Sequence, residues 1–404
     1  MEKASMSVRI RLSSMMFLQY MMFAVWWVPL AAYLKNMEVS ATYQAWILSV
    51  MPLGCLVSPI VCMVADRHFA SQKVLAILNF GCAVFFSLGA RQTNPQWVFL
   101  ILLVGMCFYM PTWSLTNAIA MANFPSEKFP QIRVFGSIGW VASAVFSLAA
   151  ATSLFNEVID GTAIPLYCGA GTALAAAVLN LTLPNTPPPA KGKEASVVDA
   201  LGLRALTLLK DRNFLFFILI SLLAMIPFTL YFSLGSQFFE SQGFQQVTAT
   251  MNLGQLVEIF LMFLVPLALM RFGVKWTMAG GLTALAIRYF ALWGGVAADQ
   301  VFLYYVAILV HGLIFGFFFV GGQVYVDKKA RPEIRAQAQG LIVLICFGIG
   351  MLIGTFVNVR LIERYTTNGV SDWNPVFVIM ALASTALVVI LLAAFRDDVR
   401  PTAG

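Results

Sequence analysis

Glu258 lies ten residues into the apolar run 248–269, in Asn252-Leu253-Gly254-Gln255-Leu256-Val257-Glu258, with Gln255 about one helical turn before it. An ionised group at the centre of a bilayer costs about 2.5–3.5 kcal/mol on insertion scales, so an acid placed there is a functional candidate by default. Residues three apart share a helix face. Gln255 and Glu258 could therefore grip a polyhydroxylated ligand together, and a carboxyl group shielded from water can load and release a proton near neutral pH. The competing reading is a Glu that only locks two helices by hydrogen bonding.

A second constellation opens the run 132–154: Arg133, Ser137 and Trp140, in Arg133-Val134-Phe135-Gly136-Ser137-Ile138-Gly139-Trp140. Spacings of four and three put all three on one helix face. An Arg offers forked donors, a Ser a small hydroxyl, and a Trp a flat surface for a sugar ring or base. Against this, Arg133 is near enough to a boundary to snorkel or to pair with Glu127. Gln19, Asn117, Arg288 and His311 are further polar groups within apolar runs, each of which could instead satisfy a neighbouring helix. Two charged turns, Asp66-Arg67 with Lys73 and Arg271 with Lys275, lie about 204 residues apart, half the chain. A third, Asp327 to Arg335, follows the run 301–325. Asp66, Arg67, Lys73, Arg271, Asp327 and Arg335 are read as gating and topology anchors on one membrane face.

The elements that must position these groups follow from composition. Of 404 residues, 60% are hydrophobic and 11% charged, which excludes ordinary soluble packing. At roughly 20 apolar residues per span, breaks in hydropathy divide the chain into twelve spans: 12–34, 43–65, 73–90, 97–122, 132–154, 163–183, 213–236, 248–269, 274–296, 301–325, 336–359 and 374–395. With the N-terminus inside, 20 of the 25 basic residues fall in cytoplasmic segments and four in outer loops, Arg288 being within a span. That bias puts both termini in the cytoplasm, and the net charge of +7 then reports orientation and not nucleic-acid binding. The interval 184–212, opening Pro184-Asn185-Thr186-Pro187-Pro188-Pro189, separates six spans (1–183) from six (213–404). Within it, Val197 to Leu209 has the apolar spacing of an amphipathic surface helix. Paired six-span halves around a midplane site are the architecture of many secondary transporters.

Enzyme chemistry finds little support. A hydrolase or group transferase needs a nucleophile with a base, or a metal set. The two histidines, His68 and His311, begin no metal-spaced cluster, and no phosphate loop occurs, so no cofactor is implied. The six cysteines all lie in apolar stretches and read as small buried hydrophobes.

Over nearly its whole length the sequence resembles the major facilitator superfamily, and within it the nucleoside:proton symporters of bacteria. The stretches that carry the resemblance are Phe129 to Trp140, Gln255 to Glu258, Val326-Asp327-Lys328-Lys329 with Ile334 to Gly340, and Asn368 to Trp373. The first span, Leu12 to Leu30, is most similar to a less characterised permease branch. The resemblance implies an all-α fold of two pseudo-symmetric six-helix bundles in the bacterial inner membrane, importing a nucleoside with protons as a monomer among lipids. It implies ligand contacts at Arg133, Ser137, Trp140, Gln255, Glu258 and Phe315, with Gln19 and Asn117 at polar family positions and Glu258 as the proton-linked group. Two departures stand out. The family pattern has an Asp directly after the aromatic of the tenth span, where this chain has Gly316, and the polar pair of the seventh span appears as Thr229 and Phe232. These departures leave room for a sugar or glycoside as cargo, or for weakened proton coupling.

Overall fold

A bilayer offers no water to an exposed backbone, so apolar runs of this length are stable there only with their N–H and C=O groups paired internally, as in a helix. A computed structural model describes residues 6–124, 130–153, 155–188, 198, 203–331 and 334–398, without the side chains of residues 63–67, 130, 263, 335 and 336. Nine helices among the described residues are long and apolar enough to cross a membrane: Met6–Asn36, Ala41–Cys62, Ser71–Ala90, Pro95–Asn123, Gln131–Ala150, Arg212–Ser241, Val301–Lys329, Gln337–Arg364 and Trp373–Ala394. A bent pair, Val247–Leu261 and Val265–Ala297, passes the same test together. Gly273, at φ 77°, interrupts the second member of that pair, where the eighth and ninth hydropathy segments were expected to meet. The sixth segment is the shorter apolar helix Ile164–Asn180. Each of the twelve hydropathy segments therefore overlaps a helix among the described residues, and the fold is all-α.

Two expectations change. The fifth span ends at Ala150, short of residue 154, and the described residues between there and Ile164 form no helix. The amphipathic helix expected over Val197–Leu209 is, where described, a 3-10 helix from Leu203 to Lys210; residues 199–202 lie outside the described residues. Ahead of it, residues 184–188 form no helix, as the prolines at 184, 187 and 188 lack the N–H a helix needs.

The chain forms two compact units, one of residues 1–196 with 233–252, the other of 197–232 with 253–404. The first is centred on aromatic rings: Phe23 stacks on Tyr109 at 4.8 Å and on Trp27 at 5.1 Å, and Trp26 meets Phe86 at 4.9 Å. In the second, Tyr325 packs with Phe214, Phe217 and Phe395. Large apolar side chains such as Ile77, Phe80, Phe302 and Leu382 are exposed, as a bilayer allows and water does not.

Asp160, in the connection after the fifth span, is buried within the first unit. Its Oδ2 accepts the backbone N–H of Thr248 at 2.7 Å and the Ser147 hydroxyl at 3.2 Å, and its Oδ1 accepts the Thr248 hydroxyl at 3.0 Å. It thereby satisfies one of the orphan donors at the start of the helix Val247–Leu261. Burial pushes the Asp160 carboxyl up from the usual range; the bonds from Thr248 and Ser147 oppose this, and the charge of Glu240 adds to it. A raised folded-state pKa means the folded chain holds this proton more tightly than the unfolded chain. The stability tied to it is present at low pH and lost as pH rises through the raised value. Asp160→Asn, which cannot ionise, should flatten the decline of the thermal midpoint across the mildly acidic range; an unchanged slope in detergent would contradict that assignment.

Candidate functional site

In the second unit, Gln255 and Glu258 share one face of the helix Val247–Leu261, and the tenth span lies directly against that face. A Cβ on Gly254 would come within 2.8 Å of the Ile308 carbonyl oxygen, and one on Gly312 within 2.6 Å of Glu258 Cα. Only residues without a Cβ permit backbones this close. The approach leaves His311 Nε2 3.7 Å from Glu258 Oε2 and 2.8 Å from the Gln255 amide. From the ninth span, the fully buried Arg288 reaches His311 Nδ1 at 2.9 Å and donates from Nε to the Ala307 carbonyl at 3.0 Å. Its guanidinium lies 3.8 Å over the Tyr231 ring. The rings of Phe228 and Phe315 stack near His311, with centroids 6.2 and 6.4 Å away.

Among the described residues the buried acids are Asp160 and Glu258, and Glu258 is the one within a span. An acid so placed needs opposite charge or donors nearby, or it stays neutral. His311 touches both Glu258 and Arg288, so a buried cation stands one imidazole away. Just beyond, Ile314–Val320 is π-helical and carries Phe315 and Gly316. Such widened turns re-aim side chains and recur at functional sites.

In the first unit the helix Pro130–Ala142 carries Arg133, Ser137 and Trp140, all half-buried. Arg133 lies 4.3 Å over the Tyr20 ring, and Tyr20 stacks on Trp113 at 5.9 Å. Trp140 meets Phe23 edge-on at 5.9 Å. Gln19 is fully buried and engaged at both ends of its amide: Nε2 donates to the Thr112 hydroxyl at 2.5 Å, and Oε1 accepts from Asn79 at 3.1 Å. A ligand contact at Gln19 is left with the second N–H or the second lone pair of an amide that is fully buried. Asn117, by contrast, has a buried Oδ1 with no hydrogen-bond partner among the described residues.

Thr229, in the second unit, is fully buried where the seventh and eleventh spans cross; a Cβ on Gly354 would lie 2.9 Å from its hydroxyl. Of the residues expected from the sequence to act in gating, Lys73 and Arg271 are exposed and Asp327 is half-buried. The side chains of Asp66, Arg67 and Arg335 lie outside the described residues. Lys329 pairs with Asp211 at 2.8 Å and with Asp398, an anchor that no sequence spacing connects. Sequence reasoning also passed over Tyr20, Asn79 and Thr112 as partners in the site. It noted Arg288 and His311 singly; two ionisable groups in the middle of consecutive spans were the signal that they pair.

A family model described as nucleoside H+ symporter matches residues 6–400. The chain belongs to the nucleoside H+ symporter family. A relative named "Putative nucleoside transporter YegT" in Escherichia coli K12 is 37% identical over 406 residues, covering 97% of this chain and 95% of the relative. Nucleoside permease NupG of the same organism is 28% identical over 416 residues, covering 97% and 96%. The crystal structure of an aspartate-to-alanine variant of NupG matches with a TM-score of 0.88 at 26% identity, over 96% of this chain and 100% of that one. The xylose transporter XylE from E. coli shares the fold at a TM-score of 0.70 and 11% identity, over 98% of this chain and 100% of that one. This member of the nucleoside H+ symporter family therefore has the major facilitator fold and is a membrane transporter, not an enzyme.

Proposed function

We propose that the protein imports nucleosides in symport with protons by alternating access, the halves 1–183 and 213–404 rocking about the linker 184–212. The observation that carries this reading is Glu258: a buried acid within a span, sharing a face with Gln255 and touching His311, in a chain matched to this family from residue 6 to 400. Arg133, Ser137 and Trp140 supply the donors and flat ring surface of the first unit, and Asn117 an unpaired acceptor. Protonation and ligand binding are coupled when both bias the same conformational equilibrium; a ligand with equal affinity for both states would drive nothing. The asymmetry of basic residues supports an orientation with both termini cytoplasmic, and the match to bacterial relatives supports placement in the bacterial inner membrane. In this reading the transporter works as a monomer among lipids and needs no cofactor or nucleic acid.

The test is uptake of labelled uridine into proteoliposomes, with and without an inward proton gradient, with unlabelled glucosides as competitors. Gradient-stimulated uridine uptake is expected. Uptake blocked by glucosides, or absent from folded protein, would transfer the site to sugars.

Gly316 gives a second measurement. A Cβ there would meet Val265 Cγ2 at 3.1 Å, so an aspartate fits only if Val265 shifts by a few tenths of an ångström. Gly316→Asp adds an intramembrane acid, and it should steepen the response of uridine uptake to the proton gradient or raise uridine affinity. No change in either would show that the glycine causes no deficit in coupling.

A further inference from the structure

The donors and acceptors around His311 fix the position of its ring proton. A guanidinium has five N–H donors and no acceptor. Arg288 Nη2 stands 2.9 Å from His311 Nδ1, so Nδ1 must be the accepting, unprotonated nitrogen. A neutral imidazole then carries its proton on Nε2. Protonating Nδ1 as well would break this bond and set two cations side by side. The Gln255 amide nitrogen is placed 2.8 Å from that same Nε2, where two donors would face each other. Amide oxygen and nitrogen are interchangeable by a half-turn, and the hydrogen-bond network decides between them. Turned over, the amide oxygen accepts from Nε2–H, and its NH2 is left pointing away from His311.

We propose that Arg288 and His311 are positioning residues that set the polarity of Gln255: Arg288 locks His311 as the Nε2–H tautomer, and His311 commits the Gln255 amide to act as a donor toward a ligand carbonyl. This rests on the nucleoside reading of the site and deepens it. A nucleobase with a ring carbonyl, such as uracil, presents the matching acceptor, whereas a ribosyl ligand with an unsubstituted phenyl ring does not. The groups facing His311 are Arg288 from the ninth span, Glu258 and Gln255 from the eighth, Tyr231 and Phe228 from the seventh, and Phe315 on its own span. The Gln255 amide therefore supplies a donor of fixed polarity beside the Glu258 carboxyl, which accepts when ionised and donates when it carries its proton. Arg288 is itself held by the Ala307 carbonyl and the Tyr231 ring, so the chain of bonds starts from a fixed point.

The chain contains only two histidines, which makes the tautomer directly observable. In the full-length protein with 15N-labelled histidine, the ring signals missing from His311→Gln belong to His311. They should show one protonated nitrogen, Nε2, coupled to the carbon protons on both of its sides. A proton on Nδ1, or on both nitrogens, would overturn the proposal.

The second arm compares binding of uridine with that of its phenyl-ring analogue. His311→Gln can accept from Arg288 and donate to Gln255, so it should keep the preference for uridine within about threefold. His311→Phe can do neither and should lose about tenfold of the preference, the value of one well-made hydrogen bond. A preference that survives in His311→Phe, or vanishes in His311→Gln, would overturn the proposal. If His311→Phe does not fold, the tautomer and His311→Gln decide alone. Failure of the unmodified protein to bind uridine refutes the nucleoside reading instead, and the tautomer measurement still reports on the Arg288 lock.

Discussion

Glu258→Gln is expected to abolish proton-driven accumulation of uridine while exchange of labelled for unlabelled uridine across the membrane continues. A pH difference of one unit is worth about 1.4 kcal/mol per proton, or roughly a tenfold concentration ratio for one-to-one symport. With no titratable group at position 258 that term disappears, and the accumulation ratio should fall from about tenfold to unity. Gln is close to Glu in shape and can still hydrogen-bond His311, which stands 3.7 Å from the Glu258 carboxylate. The helix contacts at Gly312 and Gly254 involve backbone atoms, His311 carbons and Leu261 Cδ1, and do not depend on the charge. Proteoliposome uptake under an imposed gradient, read beside uridine exchange, separates loss of coupling from loss of folding. Full accumulation by the variant would remove Glu258 as the required proton carrier.

Gly312→Val is expected to eliminate uptake although it removes no polar group. A Cβ at Gly312 would lie 2.6 Å from Glu258 Cα, 2.8 Å from its backbone nitrogen and 3.0 Å from Leu261 Cδ1. The nearest two are backbone atoms of a helix, which cannot rotate aside as a side chain can. Relief requires the eighth and tenth spans to separate, which carries Gln255 and Glu258 away from His311. Overpacking of this kind typically costs about 1–3 kcal/mol, so a lower thermal midpoint should accompany the loss. Gly340 provides the control, since a Cβ there meets nothing within 4 Å among the described residues. Gly340→Ala lies in the helix Arg335–Val343 and should be neutral or stabilising by about 0.4–1 kcal/mol. Uptake by Gly312→Val within a factor of about two of the unmodified chain would show that the close crossing is dispensable; a tolerated extra methyl group would have to be absorbed by small backbone shifts.

The helical spans were legible because burial in lipid acts on each segment separately: a run of about 20 apolar residues is helical there whatever its neighbours. The shared face of Gln255 and Glu258, and that of Arg133, Ser137 and Trp140, followed from helical spacing alone. The linker was harder. Its apolar spacing over Val197–Leu209 suggested a surface helix, and the described part is a 3-10 helix, since periodicity does not separate the two over so short a stretch. The roles of Gln19 and Thr229 were equally out of reach. One has its amide taken up by Thr112 and Asn79, and the other packs against Gly354, partners 60 to 125 residues distant in sequence.

Sequence by itself thus determined that the chain crosses a membrane and that an acid and an amide share one face of the eighth span. Tertiary structure alone decided which groups that face meets. The pairing of Arg288 with His311, and of His311 with Gln255 and Glu258, depends on two glycines letting the eighth and tenth spans touch. Contact between distant segments is a property of packing, and a one-dimensional pattern records only which faces are available for it.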